Sequence, residues 1–301
     1  MSKPKTILLF GAAGQIGQEL AETLAPLGNV AAIDRSQLDL SDLSAIAQTI
    51  KTIQPHIIVN AAAYTAVDRA ESEAALADCI NAQAPEEMAK AAADGGAMLV
   101  HISTDYVFSG QVGSPRTETD STGPLSVYGQ TKLAGEQAIR TVLKRHIILR
   151  TSWVYGTYGK GNFLKTMLRL GREREALSVV ADQVGAPTWA KEVADAIASL
   201  LQKPNTFGTY HFTNSGVASW YDFALAIFEE AEALGLPLKL RVVKPITTAD
   251  YPTPAQRPAY SVLNNQKIAA LLERDAPHWR TSLRAMLKQY ASAERLKSFN
   301  L

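Results

Sequence analysis

The segment that most narrows the fold is a short, mostly apolar run, Thr6–Phe10, leading directly into Gly11-Ala12-Ala13-Gly14-Gln15-Ile16-Gly17 and then into a helix-like stretch, Gln18–Leu24. Glycine lets a backbone turn tightly and approach a ligand closely. The N–H groups that open the following helix have no partners within it, so they favour an anion such as a pyrophosphate. The spacing is G-x-x-G-x-x-G, not the commoner G-x-G-x-x-G, so the motif draws its weight from its strand-turn-helix setting.

The chain repeats that setting. Apolar runs at Val30–Ile33, Ile57–Val59, Met98–Ile102 and His146–Leu149 alternate with helix-length segments, the pattern of βαβ units in a parallel sheet covered on both faces. Ser41-Asp42 offers an N-cap for a helix reaching about Lys51, and the alanine-rich stretch Ala82–Ala93 stops at Asp94-Gly95-Gly96. Beyond about residue 150, Gly and Pro become frequent. Segments 156–161, 181–187 and 250–258 read as loops that present groups to a ligand. Segments 189–201 and 219–234 read as amphipathic helices, the first placed to pack back on the sheet. The predicted fold is α/β, a Rossmann-type doubly wound parallel sheet with a smaller, interleaved α/β substrate-binding lobe. Residues 1–150 form the dinucleotide-binding domain, completed by parts of 175–215, and residues 151–301 form mainly the second lobe.

The 30 basic residues nearly cancel the 29 acidic ones and neither sign forms a long run, which argues against a nucleic-acid or membrane-surface partner. Cys79 is the only cysteine and cannot form an intramolecular disulfide, and no apolar run reaches membrane-spanning length. A cytoplasmic location is expected.

Asp34 lies twenty residues after Gly14, at the end of the second apolar run. A carboxylate there accepts hydrogen bonds from ribose hydroxyls, while the guanidinium of Arg35 can receive a 2′-phosphate, so the pair suits NADH, NADPH or both. Asp39-Leu40 can flank adenine. Ala61-Ala62-Ala63, running on into Tyr64 and Thr65, is small enough for close backbone approach to the cofactor, although small residues serve packing equally well.

The richest stretch is Ser126-Val127-Tyr128-Gly129-Gln130-Thr131-Lys132. On a helix, Tyr128 and Lys132 are i and i+4 neighbours on one face. A free tyrosine, with a pKa of about 10, exchanges protons poorly near neutrality, and a neighbouring ammonium favours its phenolate. Spacing alone would leave a helical aromatic and a solvated lysine the better reading. Upstream, however, Ser103-Thr104-Asp105-Tyr106 ends the fourth strand with hydroxyls at the carboxyl edge of the sheet, where such folds hold ligands.

These pieces, with Asn60–Asp68, Arg150–Tyr155, Gly161-Asn162-Phe163, Asp182–Thr188 and Arg257–Ser261, resemble the extended short-chain dehydrogenase/reductase family over almost the whole chain. The resemblance implies that Thr104, Tyr128 and Lys132 form the catalytic group. It further implies that Gly11, Gly14, Gln15, Ile16 and Gly17 hold the cofactor and that Lys132 also holds the nicotinamide ribose. Thr104, Asp105 and Trp153 would meet the sugar of the substrate, and Asn162 and Arg257 its nucleotide or diphosphate. The activity implied is NADPH- or NADH-dependent reduction of the C4 ketone of a dTDP-linked keto sugar. Sugar-nucleotide dehydratases of this kind carry an Asp-Glu pair after the Thr, whereas Tyr106 follows Asp105 here, which weakens a water-eliminating reading. Two alternatives stand beside it: a reductase or epimerase of another nucleotide-linked keto sugar, and a non-catalytic regulatory subunit resembling the methionine adenosyltransferase beta subunit.

Some members are magnesium-dependent through a dimer contact, which leaves Mg2+ and a homodimer open here. Glu19 matches one acid of that contact, but the remaining ligands find no match, so Glu19 is expected on a solvated helix surface and no metal in the chemical step. Cys79 is read as a packing residue. Asn81 is read either as ordering the active-site helix or as a cap or surface residue.

Overall fold

The computed structural model of the chain describes residues 4–111 and 113–299. Strands β1 (Lys5–Phe10), β2 (Gly28–Ile33), β3 (Ile57–Asn60), β4 (Met98–Thr104) and β5 (His146–Thr151) alternate with helices. These are α1 (Gln15–Leu24), α2 (Leu43–Ile53), the short α3 (Val67–Ala70) and α4 (Ala74–Asp78), α5 (Ala84–Gly95) and α6 (Val127–Val142). Then follow β6 (Val154–Tyr155), α7 (Phe163–Glu173), β7 (Ala176–Val180), β8 (Val184–Gly185), β9 (Thr188–Trp189), α8 (Ala190–Gln202) and β10 (Gly208–His211). The chain closes with β11 (Ala218–Ser219), α9 (Trp220–Ala233), β12 (Val242–Ile246), α10 (Gln266–Leu272) and α11 (Trp279–Phe299).

Six strands pair in parallel in the order β10-β5-β4-β3-β1-β2. The five apolar runs form strands where the sequence places them. Met98–Ile102 extends two residues further, which makes Thr104 the last residue of β4. The alanine-rich helix begins differently: a π-helical turn, Cys79–Gln83, precedes α5, and Pro85 in its first turn has no N–H to bond backwards. Asp42 caps α2, its carboxylate accepting from the Ala45 N–H at 2.9 Å.

Side-chain alternation on the strands sorts the core into two layers. Ile7 and Leu9 pack with Leu20 and Leu24 of α1 and Val193 and Ile197 of α8. Leu8 and Phe10 face Ile46 and Ile50 of α2, Met88 of α5 and Ile139 of α6. A separate cluster joins Leu164 and Leu168 of α7, Leu177 of β7, Phe223 and Ile227 of α9, and Trp279 and Leu283 of α11. The expected helix at 189–201 thus lies on the sheet as α8, although it comes late in the chain.

Glu19 departs from expectation. The face of α1 that carries it packs against α8, so Glu19 is only 3% exposed and one carboxylate oxygen finds no partner. Burial pushes its carboxyl up to about 7, with the Lys191 charge opposing that rise.

Candidate active site

The order of the sheet changes direction between β1 and β3, and ligands of open α/β sheets sit at the carboxyl ends of strands at such a point. Gly11 occupies the left-handed region (φ 82°), and Gly11 and Ala12 donate their N–H groups to the Ile33 carbonyl at 2.9 and 3.1 Å. A Cβ at Gly17 would stand 2.0 Å from the Gly11 carbonyl oxygen, so the turn folds back on its helix too closely for any side chain. Gly14 caps α1 without a side-chain acceptor, which leaves the N–H groups of the first turn, Gln15, Ile16 and Gly17, to meet an anion.

Asp34 follows β2 and accepts from the Ser36 N–H (2.8 Å) and hydroxyl (2.6 Å), bonds that hold its carboxyl below the ordinary value. Arg35 is exposed and pairs with Asp39 at 2.9 Å. The Leu40 side chain is buried in the core with Phe10 and Ile46, so only its backbone is placed to flank adenine. Across the crevice the half-buried Ala61, Ala62 and Ala63 follow β3, and Tyr64 continues the loop with its hydroxyl donating to Glu73. Thr65 is exposed. Asn81 is neither cap nor surface residue. Fully buried, it accepts from the Tyr64 N–H (2.9 Å) and donates to the Tyr64 carbonyl (3.1 Å) and the Thr131 hydroxyl (3.2 Å), fastening this loop to α6.

Helix α6 begins where Ser126 accepts from the Gly129 N–H, which places Tyr128 and Lys132 one turn apart on the helix. A Cβ at Gly129 would lie 2.4 Å from the Tyr106 carbonyl oxygen, so the helix start presses on the turn after β4. That approach brings the start of α6 against the Thr104–Tyr106 turn, where the Thr104 hydroxyl donates to Asp105 (3.0 Å) and accepts from the Tyr106 N–H (3.2 Å). Tyr106 meets the Tyr128 ring edge-on, 5.5 Å between centroids. The charge tuning expected of Lys132 is not what the geometry provides. Its Nζ contacts His101 Nε2 at 3.1 Å and donates to the Ile102 carbonyl at 2.7 Å. Burial, only partly offset by the Thr104 hydrogen bond, pushes the Tyr128 phenol up to about 12, and burial against the opposing Glu136 charge brings Lys132 down to about 8.

The sequence reading missed the groups beneath this pair. His101, wholly buried on β4, lies between Lys132 and Asn60. Two residues further along the strand, Ser103 donates to Glu136 at 2.6 Å, and Glu136 also takes Arg150 on two bonds (2.9 and 2.7 Å) and Arg140 (2.6 Å). For His101, Ser103 and Arg150 the signal is present in the sequence, as polar side chains in apolar strands, whereas Glu136 and Arg140 lie on α6.

The residues expected to meet the substrate have mixed settings. Asp105 is buried beside Thr104 with one oxygen unpartnered, and burial pushes its carboxyl up to about 6. Trp153 stands two residues past Thr151, the register partner of Thr104. Its backbone is in the left-handed region (φ 47°), and its ring stacks on Trp220 at 3.4 Å between centroids. Asn162 caps α7 through the Lys165 N–H (2.8 Å) and donates to Gln15 (2.7 Å) and the Gly156 carbonyl (3.0 Å), which ties the second lobe to the glycine turn. Arg257 forks onto Asp68 at 3.0 and 2.8 Å, so a diphosphate there would compete with a carboxylate. Among the described residues, no group of three or more His, Cys, Asp or Glu could hold a metal, and no helix is long and apolar enough to cross a membrane.

Comparison with known proteins agrees with this geometry. The dTDP-4-dehydrorhamnose reductase of Escherichia coli K12 is 50% identical over 292 residues, covering 94% of this chain and 97% of that protein. The Salmonella typhimurium LT2 protein of the same name is 48% identical over 292 residues, again covering 94% and 97%. The crystal structure of dTDP-4-dehydrorhamnose reductase from Bacillus anthracis in complex with NADP aligns with a TM-score of 0.89 at 39% identity, covering 96% of this chain and 100% of that one. Residues 5–292 match the family described as RmlD substrate binding domain. By fold and by sequence, this chain belongs to that family.

Proposed function

We propose that the protein reduces the C4 ketone of dTDP-4-dehydro-β-L-rhamnose to give dTDP-β-L-rhamnose, using NADPH or NADH. The observation that carries the reading is Tyr128, in the first turn of α6, packed edge-on against Tyr106 of the turn after Thr104, at the carboxyl edge of a parallel sheet whose neighbouring turn offers an uncapped helix N-terminus. The names of the relatives and the NADP bound by the Bacillus anthracis protein support it.

The first-turn N–H groups of α1 suit the pyrophosphate of a dinucleotide, Asp34 its ribose, and Arg35 a 2′-phosphate. A bound reduced nicotinamide supplies hydride to the carbonyl carbon. The chain itself supplies the proton. A phenol held near 12 keeps its proton at neutral pH, so Tyr128 is a donor to the developing C4 alkoxide. On substrate binding the Thr104 hydroxyl would turn its hydrogen from Asp105 to the same oxygen, and Lys132, a turn further on, would hold the nicotinamide ribose. Asp105 and Trp153 bound the sugar, with Asn162 and Arg257 toward the nucleotide. We place the reaction in the cytoplasm, in keeping with a nicotinamide-coupled reduction.

Purified protein is offered dTDP-4-dehydro-β-L-rhamnose and other nucleotide-linked keto sugars, with nicotinamide absorbance followed at 340 nm, the ordinary wavelength of the reduced ring. The reading requires turnover with the rhamnose precursor that Tyr128→Phe abolishes while NADPH still binds. Strong preference for another sugar would move the substrate assignment, and absence of turnover with any would favour a regulatory role.

A further inference from the structure

Among the buried titratable groups that the mechanism leaves unused, His101 lies at the centre of β4, directly beneath Lys132. Among the described residues, two polar side chains reach its ring: Asn60 Nδ2 stands 3.1 Å from Nδ1, and Lys132 Nζ stands 3.1 Å from Nε2. Asn60 is the register partner of His101 on β3, and its Oδ1 accepts from the Ala62 N–H at 3.1 Å. The three side chains therefore form one line across β3, β4 and α6, from the cofactor-side loop to the catalytic helix.

The hydrogen-bonding rules of these groups decide where the protons lie. A backbone N–H must face an acceptor, so the Asn60 atom toward Ala62 is its oxygen and the atom toward His101 is its NH2. The NH2 is a donor, so Nδ1 is the unprotonated nitrogen of the imidazole. A neutral imidazole then carries its hydrogen on Nε2, which faces Lys132. An N–H cannot accept from an ammonium. The contact closes only if Nζ presents a lone pair to Nε2–H while one of its own hydrogens goes to the Ile102 carbonyl.

We infer that His101 is a positioning residue for the reaction, acting through Lys132: it donates Nε2–H to the lysine amine, in a tautomer fixed by Asn60. Burial holds the imidazole neutral, well below its ordinary value, and brings the lysine down to about 8, so the amine contact forms as pH rises through that value and below it the Nε2–H, by facing the ammonium, helps to depress it. The groups facing Lys132 are few. Glu136 and Tyr128 come from its own helix, with Arg150 and Arg140 neutralising Glu136. His101 and the Ile102 carbonyl come from β4, and β3 contributes only the uncharged Asn60 through His101. Among these, His101 is the donor to Nζ, so it governs whether the amine or the ammonium is preferred.

The inference rests on the proposed reductase reading for its kinetic consequence but not for its structural one, and two measurements keep them apart. In the unliganded protein, long-range 1H–15N correlation spectra of the histidine side chains, with His101 assigned by its loss in His101→Gln, should show a neutral Nε2–H ring between pH 6 and 9. A ring protonated on Nδ1, or on both nitrogens, overturns the inference whatever the enzyme does. In the kinetic arm, the kcat profile with NADPH and dTDP-4-dehydro-β-L-rhamnose should carry a limb near pH 8. His101→Phe, which removes the donor but keeps the site dry, should move that limb upward by at least half a pH unit. His101→Gln, whose amide can still donate, should return it. If His101→Phe folds and its limb stays in place, the residue only fills space. If His101→Phe fails to fold, the spectra decide. If the parent turns over no keto sugar, the reductase reading fails while the tautomer test still stands.

Discussion

Glu136 offers the sharpest test of what holds α6, the helix of Tyr128 and Lys132, in place. Its carboxylate is wholly buried and takes hydrogen bonds from Ser103, Arg140 and, on two atoms, Arg150, which is itself only 1% exposed. Glu136→Leu strands the Arg150 charge with only His211 at 3.3 Å and the Phe108 ring face at 5.0 Å. Breaking a buried pair from one side costs about 3–5 kcal/mol, because the remaining ion stays desolvated without a counter-charge. Arg150→Met should cost less, about 2–3 kcal/mol, since Glu136 keeps Arg140, which reaches solvent. With an unfolding entropy of about 2.1 cal/mol/K per residue, the larger loss lowers Tm by about 5–8 °C in a chain of 301 residues. The double variant removes both charges and should cost at least about 2 kcal/mol less than the two single losses together. Urea unfolding of the four proteins at pH 7, followed by far-UV circular dichroism, reads all three quantities. Burial alone would raise the Glu136 carboxyl, but the Arg150 bonds and charge, with Ser103 and Arg140, outweigh it and hold the value below the ordinary range. The contribution is therefore complete above the unfolded carboxyl value and is lost only as pH falls through the depressed one, so the gap between parent and Glu136→Leu should close in acid. A double variant whose loss equals the sum of the singles would refute the coupling on which this reasoning depends.

Gly129→Ala puts a methyl 2.4 Å from the Tyr106 carbonyl oxygen, so the start of α6 must move. We expect kcat to fall about 10- to 100-fold in steady-state assays with the unfolding midpoint little changed, since misplacement by about 1 Å is enough for such a loss. Glu19→Gln should stabilise the protein at pH 8 and leave it level at pH 4. A carboxyl whose folded value, about 7, lies above its unfolded one loses stability as pH rises between the two. At about 1.4 kcal/mol per unit the gain is at most about 3 kcal/mol, read by denaturant titration at both pH values. If Arg257 leaves Asp68 for the diphosphate, Arg257→Met should raise KM for the nucleotide sugar at least about 10-fold and leave KM for NADPH unchanged. An equal rise in both would reduce Arg257 to a tie between the loop and α3.

The sheet could be read from the sequence because buried parallel strands appear as continuous apolar runs, and the glycine turn because its geometry excludes side chains. Helix α8 was visible as a helix, and even its return to the sheet was foreseeable, but Glu19 was misread because nothing local says which face of α1 that return would cover. The same limit explains Arg257, whose partner Asp68 lies 189 residues away. Beside Tyr128 and Lys132 the failure is more instructive. On β4, His101 and Ser103 are two residues apart and point to one face. On α6, Lys132 and Glu136 are four apart and do the same. A strand advances about 6.6 Å in two residues and a helix about 6 Å in four, so the spacings match and two polar contacts form side by side, His101 with Lys132 and Ser103 with Glu136. Each period is visible in the sequence, but the register between them is set by packing of α6 on the sheet, which glycine permits where the helix approaches the turn after β4. What the sequence does display is the violation itself. Histidine and serine at positions an apolar strand would fill cost free energy unless partnered, and the partners are Lys132 and Glu136 of α6.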